Sequence, residues 1–271
     1  LIKNYSEKYT EEVKQIYKHS SYYNENEFNC SSNAEKFISP SEACILGNNQ
    51  IPDIAFIGDS HLDLISIELE KKLIKKNRSA YQFSFAGCVP ALNLKVYNDR
   101  RYNCDRYFNE VLTQIKLNPE IKNIFIFSRW PFNISGKRFD NKEGGIEIGE
   151  NHYFIPINKN SFIQDEEREK LILKEIENFI NEIFTIGRKI HIVMSVPEMG
   201  WEIPNNLARQ LHFYKKIETT TLSISKEVYF ERNEKVFNFF RSKKEKYNLS
   251  LIFLEDIFCD NRRCFSHKEG T

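Results

Sequence analysis

The chain has 271 residues, 41% of them hydrophobic and 22 of them phenylalanine, which suffices for one large domain with a sizeable core. Thirty-nine basic and 38 acidic side chains leave a net charge of +1; a nucleic-acid surface needs a clustered basic excess, so the lysine runs at 71–76 and 243–246 are read as solvated helix faces and no nucleic-acid partner is expected. No stretch approaches the roughly 20 apolar residues of a membrane span, and no signal peptide is visible; the chain opens on Leu1 rather than Met and is read as a piece of a longer protein.

Residues 1–50 are polar and rich in Asn, Ser, Glu and Lys. "EKYTEEVKQIYK" predicts a helix over 7–18, and the remainder reads as an extension leading into the main domain. From residue 53 the rhythm changes. Apolar runs at 53–58 (DIAFIG), 81–85 (YQFSF), 123–128 (NIFIFS), 189–196 (KIHIVMSV) and 249–254 (LSLIFL) are continuous rather than alternating, as strands covered on both faces are. Amphipathic segments lie between them: 62–76, with Leu62, Ile65, Leu69 and Leu73 on one stripe, then 104–117, 165–186, capped by Asp165 and stopped at Gly187, and 226–246. The alternation predicts an α/β fold with a parallel sheet of about five strands and helices on both faces. The region 136–163, with Gly144, Gly145 and Gly149, reads as a hairpin inserted after the third strand.

Six cysteines fall as three local couples, Cys30/Cys44, Cys88/Cys104 and Cys259/Cys264. Fifteen pairings are open, and closure of nearest neighbours is the simplest. The spacing lacks the C-x-x-C and nearby histidine that zinc prefers, so no metal is expected, and an even count in local couples favours an oxidising compartment.

In an open parallel sheet, ligands bind beyond the carboxyl ends of the strands. Ser60 stands at such an end, in "IAFIGDSHLDLI", just before a helix whose unpaired N–H groups and dipole favour negative charge. It could equally be a helix cap. Neighbouring strand ends deliver Gly87 (SFAGCVP), Arg129 and Trp130 (SRWPFN) and Trp201 (VPEMGWEIP) to the same edge. Two exposed tryptophans there would suit stacking on a sugar ring.

"IGDSH" followed by "SFAGCVP" resembles the first two blocks of the SGNH hydrolases, esterases and acyltransferases with a three-layer α/β/α flavodoxin-like fold. The resemblance implies Ser60 as nucleophile and the backbone N–H groups of Ser60 and Gly87 as oxyanion donors. The third block, G-x-N-D, is replaced by "FSRWP", which leaves Arg129 and Trp130 as the residues to complete the oxyanion hole or orient a glycan. The ordered set "GDSH", "GCVP…C", "RWP", "VPEMG", "FCDNRRC" over residues 28–271 resembles the periplasmic SGNH domains fused to acyltransferase-3 membrane proteins, nearest to lipopolysaccharide O-antigen acetyltransferases. Residues 1–50 then read as a periplasmic linker and extension stapled by Cys30–Cys44, and 51–271 as the SGNH domain.

The family's catalytic Asp and His sit in a D-x-x-H motif near the C-terminus, and this chain has none. His61 adjoins the nucleophile but points along the first helical turn, His191 reads as a packed strand residue, and His267 follows Asp260 at the wrong spacing. The Asp and His are expected beyond Thr271. The resemblance further implies an N-terminal acyltransferase-3 membrane domain in the same polypeptide, acetyl-CoA as ultimate acetyl donor through it, no cofactor bound by this domain, an O-antigen acceptor, and a periplasmic location at the bacterial inner membrane. A free-standing carbohydrate acetylesterase and a non-catalytic glycan-binding module are the alternatives.

Overall fold

The computed structural model describes residues 9–20, 30–48, 50–216 and 222–266. In chain order the elements are α1 (Glu11–Ser20), β1 (Ser31–Ser32), β2 (Cys44–Gly47), β3 (Ile54–Gly58), α2 (Ser60–Lys75), β4 (Ser79–Phe85), β5 (Leu94–Val96), α3 (Cys104–Leu117), β6 (Asn123–Phe127), α4 (Trp130–Ser135), β7 (Phe154–Pro156), α5 (Asp165–Thr185), β8 (Lys189–Val193), α6 (Ile203–Tyr214), β9 (Ser223–Ser225), α7 (Lys226–Lys243), β10 (Ser250–Ile252), α8 (Glu255–Phe258) and β11 (Arg263–Phe265).

The central sheet has the order β1-β4-β3-β6-β8-β10, parallel throughout that path, with β2 antiparallel on β4. Seven strands stand where about five were expected. The five expected ones form its body, and β1 and β2 add a short edge beside β4. Part of the region 1–50, read as extension and linker, is therefore built into the sheet. The expected helix at 7–18 has its first two residues outside those described; α1 begins later, at Glu11, and runs on to Ser20.

Alternate residues of the strands face two layers. Ala55, Ile57, Phe83, Phe85, Ile124, Ile126, Ile190 and Ile192 join the larger core beneath α3, α5 and α7. Ile54, Phe56, Ala80 and Phe127 join Leu62 and Leu73 of α2 on the other face. Burial of each such Ile, Leu or Phe side chain contributes about 1.5–3 kcal/mol, so both faces of the sheet are pinned and the strand ends have little freedom. This is the α/β/α flavodoxin-like arrangement, in which the connection from β3 leaves toward β4 on one side while β6 lies on the other. The crevice at that reversal opens at the carboxyl ends of β3 and β6.

Cys30–Cys44, Cys88–Cys104 and Cys259–Cys264 are all bonded. The cap of α5 is Gln164, with Asp165 its first helical residue, and Gly187 follows the helix at φ +74°. The region 136–163 does carry an antiparallel turn, with Asp140 bridged to Ile146, but its later strand β7 pairs with β5 instead of closing a hairpin. No helix among the described residues is long and apolar enough to cross a membrane.

Candidate active site

Register places the site. Gly58 of β3 is level with Ser84 of β4 and Phe127 of β6, so Asp59–Ser60, Ala86–Gly87 and Ser128–Arg129 emerge side by side from three adjacent strands. Asp59 is 2% exposed and organises two of them. Its Oδ1 accepts the His61 N–H at 2.9 Å and caps α2. Its Oδ2 accepts from Ser128 Oγ at 2.7 Å, from the Arg129 N–H at 2.9 Å and from Asn133 Nδ2 at 2.7 Å. Four donors converge on one carboxylate, which satisfies its capacity and compensates its burial. A second buried carboxylate, Asp63, holds the first turn of α2 from the other side, accepting from Ser31 Oγ at 2.7 Å and Gln82 Nε2 at 2.9 Å.

Ser60 is thereby the first residue of a doubly anchored helix. Its hydroxyl and its N–H make no hydrogen bond to another described group, and the cap that the sequence left open as a role for Ser60 is taken by Asp59. Across the crevice, Gly87 stands at φ +80°, a conformation that suits glycine, and a Cβ there would meet Tyr102 Cε1 at 2.7 Å. The Gly87 N–H is likewise unbonded among the described residues, while its carbonyl accepts from the His152 ring, whose Nε2 lies 2.8 Å away. With the carbonyl as acceptor, Nε2 must carry the proton. Burial lowers the His152 pKa more than the bond to Gly87 raises it, so the ring is a neutral donor that holds the Gly87 peptide in place. Behind the same loop, the Ala86 N–H donates to Ser32 of β1 at 2.8 Å.

Arg129 lines the adjoining cleft. Its Nη1 and Nη2 donate to the two oxygens of Glu147 at 2.9 and 2.6 Å, and its Nε donates to Glu198 Oε1 at 2.8 Å. Arg138 supports Glu147 from behind at 2.6 Å, and Arg232 supports Glu198 at 3.0 Å. Burial opposes the Arg129 charge, but the bonds from Glu147 and Glu198 outweigh it and raise its pKa. Burial likewise pushes Glu147 up, and Arg129 and Arg138 bring it down to about 2. The cleft, of about 220 Å³, is lined by His61, Arg129, Glu147, Glu198 and Trp201 among others.

The family model described as "SGNH domain (fused to AT3 domains)" matches residues 29–271. The chain belongs to this family. Among solved structures, the SGNH domain is similar to the periplasmic domain of the lipopolysaccharide acetyltransferase of Salmonella ser. Paratyphi A: 14% identity, 96% of this chain and 86% of that one covered, TM-score 0.59. That likeness is one of fold. A Bacteroides fragilis chain described as a candidate acylhydrolase aligns at 9% identity over 82% of this chain and 76% of its own, with a TM-score of 0.40. No curated protein matches.

Within this SGNH domain Ser60, Gly87 and Arg129 share one edge, as their strand-end positions predicted. Trp130 does not belong with them, which corrects its reading as a glycan-orienting or oxyanion residue. It is 0% exposed, donates its indole N–H to the Val193 carbonyl at 2.9 Å and packs edge-on against Phe240. Trp130, Pro131, Phe132 and Ile134, interrupted only by Asn133, lie in a short buried helix, and that density of apolar residues is the signal that would have placed Trp130 in the core. Only Trp201 lines the cleft. His191 is only partly buried; it sits in the middle of its strand, stacked on Phe125 at 4.3 Å and level with Phe56 rather than with the strand end that leads to Ser60. His61 meets Phe127 edge-on, and His212 packs against Phe213. His267 lies outside the described residues. Asn133, Glu147, His152 and Glu198 were not singled out from the sequence; each comes from a loop or short helix whose relation to Ser60 is created only by tertiary contact.

Proposed function

We propose that this SGNH domain is the periplasmic acyl-transfer domain of a bacterial inner-membrane O-acetyltransferase, acting through Ser60 on a sugar hydroxyl of lipopolysaccharide O-antigen. The observation that carries this reading is the pair of unbonded groups facing one crevice: the Ser60 hydroxyl at the start of α2 and the Gly87 N–H at the next strand end. Ser60 Oγ attacks the acetyl carbonyl and gives its proton to a base. The resulting oxyanion is held by the N–H groups of Ser60 and Gly87, each such donor contributing about 100- to 1000-fold in rate. Collapse expels the donor's leaving group, which takes that proton from the base, and leaves acetyl-Ser60; the acceptor hydroxyl then attacks and passes its proton to the base, which returns it to Ser60 Oγ as the acetyl ester departs.

The base and its orienting acid belong to the same proposal: the His and Asp of a D-x-x-H motif following Thr271. His61, His152, His191 and His212 support looking elsewhere for the base, since His152 is bound to Gly87 and the other three pack on aromatic rings. The acetyl group would reach Ser60 from acetyl-CoA by way of the acyltransferase-3 membrane domain, the fusion partner that characterises the family. The periplasmic location is supported by the three disulfides and by the Salmonella neighbour.

The test is O-acetylation by the parent polypeptide in cells, read as the acetyl methyl signal in the proton NMR spectrum of purified O-polysaccharide. Ser60→Ala should abolish the signal with the protein still folded and oxidised. Undiminished acetylation in that variant would remove Ser60 from the chemistry.

A further inference from the structure

We propose that the Trp201 cleft is the acceptor subsite, in which a single pyranose ring lies on the indole face with two adjacent hydroxyls bonded to Arg129 and Glu198. This deepens the acyl-transfer reading above and rests on it for the identity of the ligand as an acceptor. The binding itself is independent of that reading.

The platform is built. A Cβ on Gly145 would fall 2.7 Å from both Cδ2 and Cε2 of Trp201, the bond shared by the two indole rings. An approach equidistant from those two interior atoms is over the ring face, so Gly145 backs one face of the indole. The ring also lines the cleft, which leaves its opposite face to that side. Asn141, 0% exposed, clamps the arrangement. Its Nδ2 donates to the Met199 carbonyl at 2.6 Å, and its Oδ1 accepts the N–H groups of Glu143 and Gly145, each at 2.8 Å. Three hydrogen bonds from one buried side chain thus fix the glycine turn and the Trp201 loop to each other. An ordered aromatic face loses little freedom when a ligand covers it.

The polar rim has open valences of the right kind. Arg129 has five N–H groups and uses three, one on each nitrogen, on Glu147 and Glu198. One N–H on Nη1 and one on Nη2 remain. Glu147 is saturated: Oε1 accepts from Arg129 and Arg138, and Oε2 accepts from Arg129 and the Phe139 N–H. Glu198 is not. Its Oε2 accepts from Arg232 Nε and is ion-paired with Arg232 Nη2, but its Oε1 accepts, among the described residues, only from Arg129 Nε. The cleft therefore offers spare donors on Arg129 beside one spare acceptor on Glu198. A hydroxyl pair on neighbouring ring carbons presents the complement, one oxygen accepting and one O–H donating. The axial C–H face of a pyranose is apolar and matches the indole. At about 220 Å³ the cleft holds the volume of roughly seven waters at about 30 Å³ each, which is the scale of one sugar ring and not of a long chain. His61, next in sequence to Ser60, lines the same cleft, so the cleft adjoins the turn that carries the nucleophile.

The two tryptophans make the test specific, because Trp130 is sealed in the core and Trp201 alone faces the cleft. The 271-residue chain would be titrated with methyl hexopyranosides and with O-polysaccharide stripped of acetyl groups. D-Sorbitol, with the same hydroxyls and no ring face, is the control. Indole fluorescence follows Trp201, and ligand-observed NMR gives the affinity in every variant. We expect a saturable emission shift with at least one pyranoside or with the polysaccharide, none with sorbitol, and unchanged binding in Ser60→Ala. Trp201→Leu should bind about tenfold more weakly or worse, with Trp201→Phe restoring part of the affinity. Glu198→Gln, which keeps the shape and removes the charge, should also weaken binding. No saturable response to any pyranose or polysaccharide, or full affinity in a folded Trp201→Leu chain, would overturn the subsite. If Trp201→Leu does not fold, the wild-type emission shift and the Trp201→Phe affinity decide alone. Binding that persists where Ser60→Ala leaves acetylation intact would refute the acyl-transfer reading and spare the subsite; acetylation lost in Ser60→Ala with no pyranose binding would do the reverse.

Discussion

Asn133 Nδ2 lies 2.7 Å from Asp59 Oδ2, and this contact between residues 74 apart in sequence joins the helix that carries Ser60 to the loop that carries Arg129. Asp59 has the serine motif's own position, yet its bonds run to Ser128, Arg129 and Asn133. Its role is to hold two strand ends in one geometry. Asp59→Asn should therefore be costly, since an amide would turn an N–H₂ toward donors that now share a carboxylate. Hydrogen bonds to a buried charge contribute about 1.5–3 kcal/mol each, so a loss of about 3 kcal/mol is expected. Ser60→Ala removes a hydroxyl with no described partner and should change stability by less than about 1 kcal/mol. Urea midpoints of the two variants check the contrast, and equal stability for both would show that the Asp59 network is not what orders the site.

Trp130 yields a second expectation, because core and glycan roles predict different losses. Trp130→Ala should cost about 3–5 kcal/mol as a large cavity opens beside Phe240. Trp130→Phe should cost about 1–3 kcal/mol, largely from the Val193 carbonyl left without the indole N–H. Neither should change pyranoside affinity in chains that remain folded. Thermal melts and ligand-observed NMR on Trp130→Phe separate the roles, and weakened sugar binding with unaltered stability would return Trp130 to the ligand.

The strands that could be read from sequence are those buried on both faces, where continuous apolar runs such as "IAFIG" and "NIFIF" leave little alternative. The helices between them announced themselves by periodicity, and α3 spans the expected residues 104–117. What escaped is held by partners and not by local pattern. β1 is only Ser31–Ser32 and exists because it pairs with Ser84 and Phe85 at the edge of β4. β5 and β7 are three residues each and stabilise one another across a long loop. The site divides in the same way. Ser60, Gly87 and Arg129 follow from strand ends, because a parallel sheet has one functional edge. Glu147 and His152 carry no motif, Glu198 lies in "VPEMG" with nothing local to mark its role, and only the folded loops bring them to Arg129 and Gly87.

Acid should loosen this edge in two steps of the same sign. Burial lowers the His152 pKa, so the unfolded chain takes up a proton that the folded ring resists. Stability from His152 is complete above the ordinary histidine value of about 6.5 and declines as pH falls through the folded value below it. Glu147 is held at about 2 against an ordinary value near 4.3, so its contribution is complete above that value and disappears as pH falls toward 2. Unfolding free energy measured from pH 7 to pH 2 should fall in both ranges. His152→Gln, which can still donate to the Gly87 carbonyl, should flatten the upper range, and Glu147→Gln the lower one. A Glu147→Gln chain with an unchanged acid slope would show that Arg129 and Arg138 do not depress that carboxylate.

The Cys88–Cys104 bridge bears most directly on the oxyanion loop. It links residues 16 apart in sequence, starting immediately after Gly87, and the enclosed segment carries Tyr102, whose ring lies where a Gly87 side chain would be. A loop of that length confers about 3 kcal/mol through the unfolded state, and replacement of both cysteines should cost about that much. Both half-cystines are buried, at 0% and 2% exposure, so alanine is the appropriate replacement, since a serine hydroxyl would be left without a partner. The bridge also fixes Gly87 from its C-terminal side, while His152 fixes its carbonyl and Ser32 the preceding N–H. The double Cys→Ala chain should therefore lose Ser60-dependent acetyl transfer at temperatures where it is still folded. Its Gly87 amide resonance should broaden or shift while those of β3 and β6 hold. Removal of Cys30–Cys44, whose half-cystines are partly exposed, should instead act through β1 and β2 and yield first to mild reductant in differential alkylation. Activity unaffected by loss of Cys88–Cys104 in a folded chain would mean that Tyr102 and His152 alone suffice to hold the Gly87 peptide.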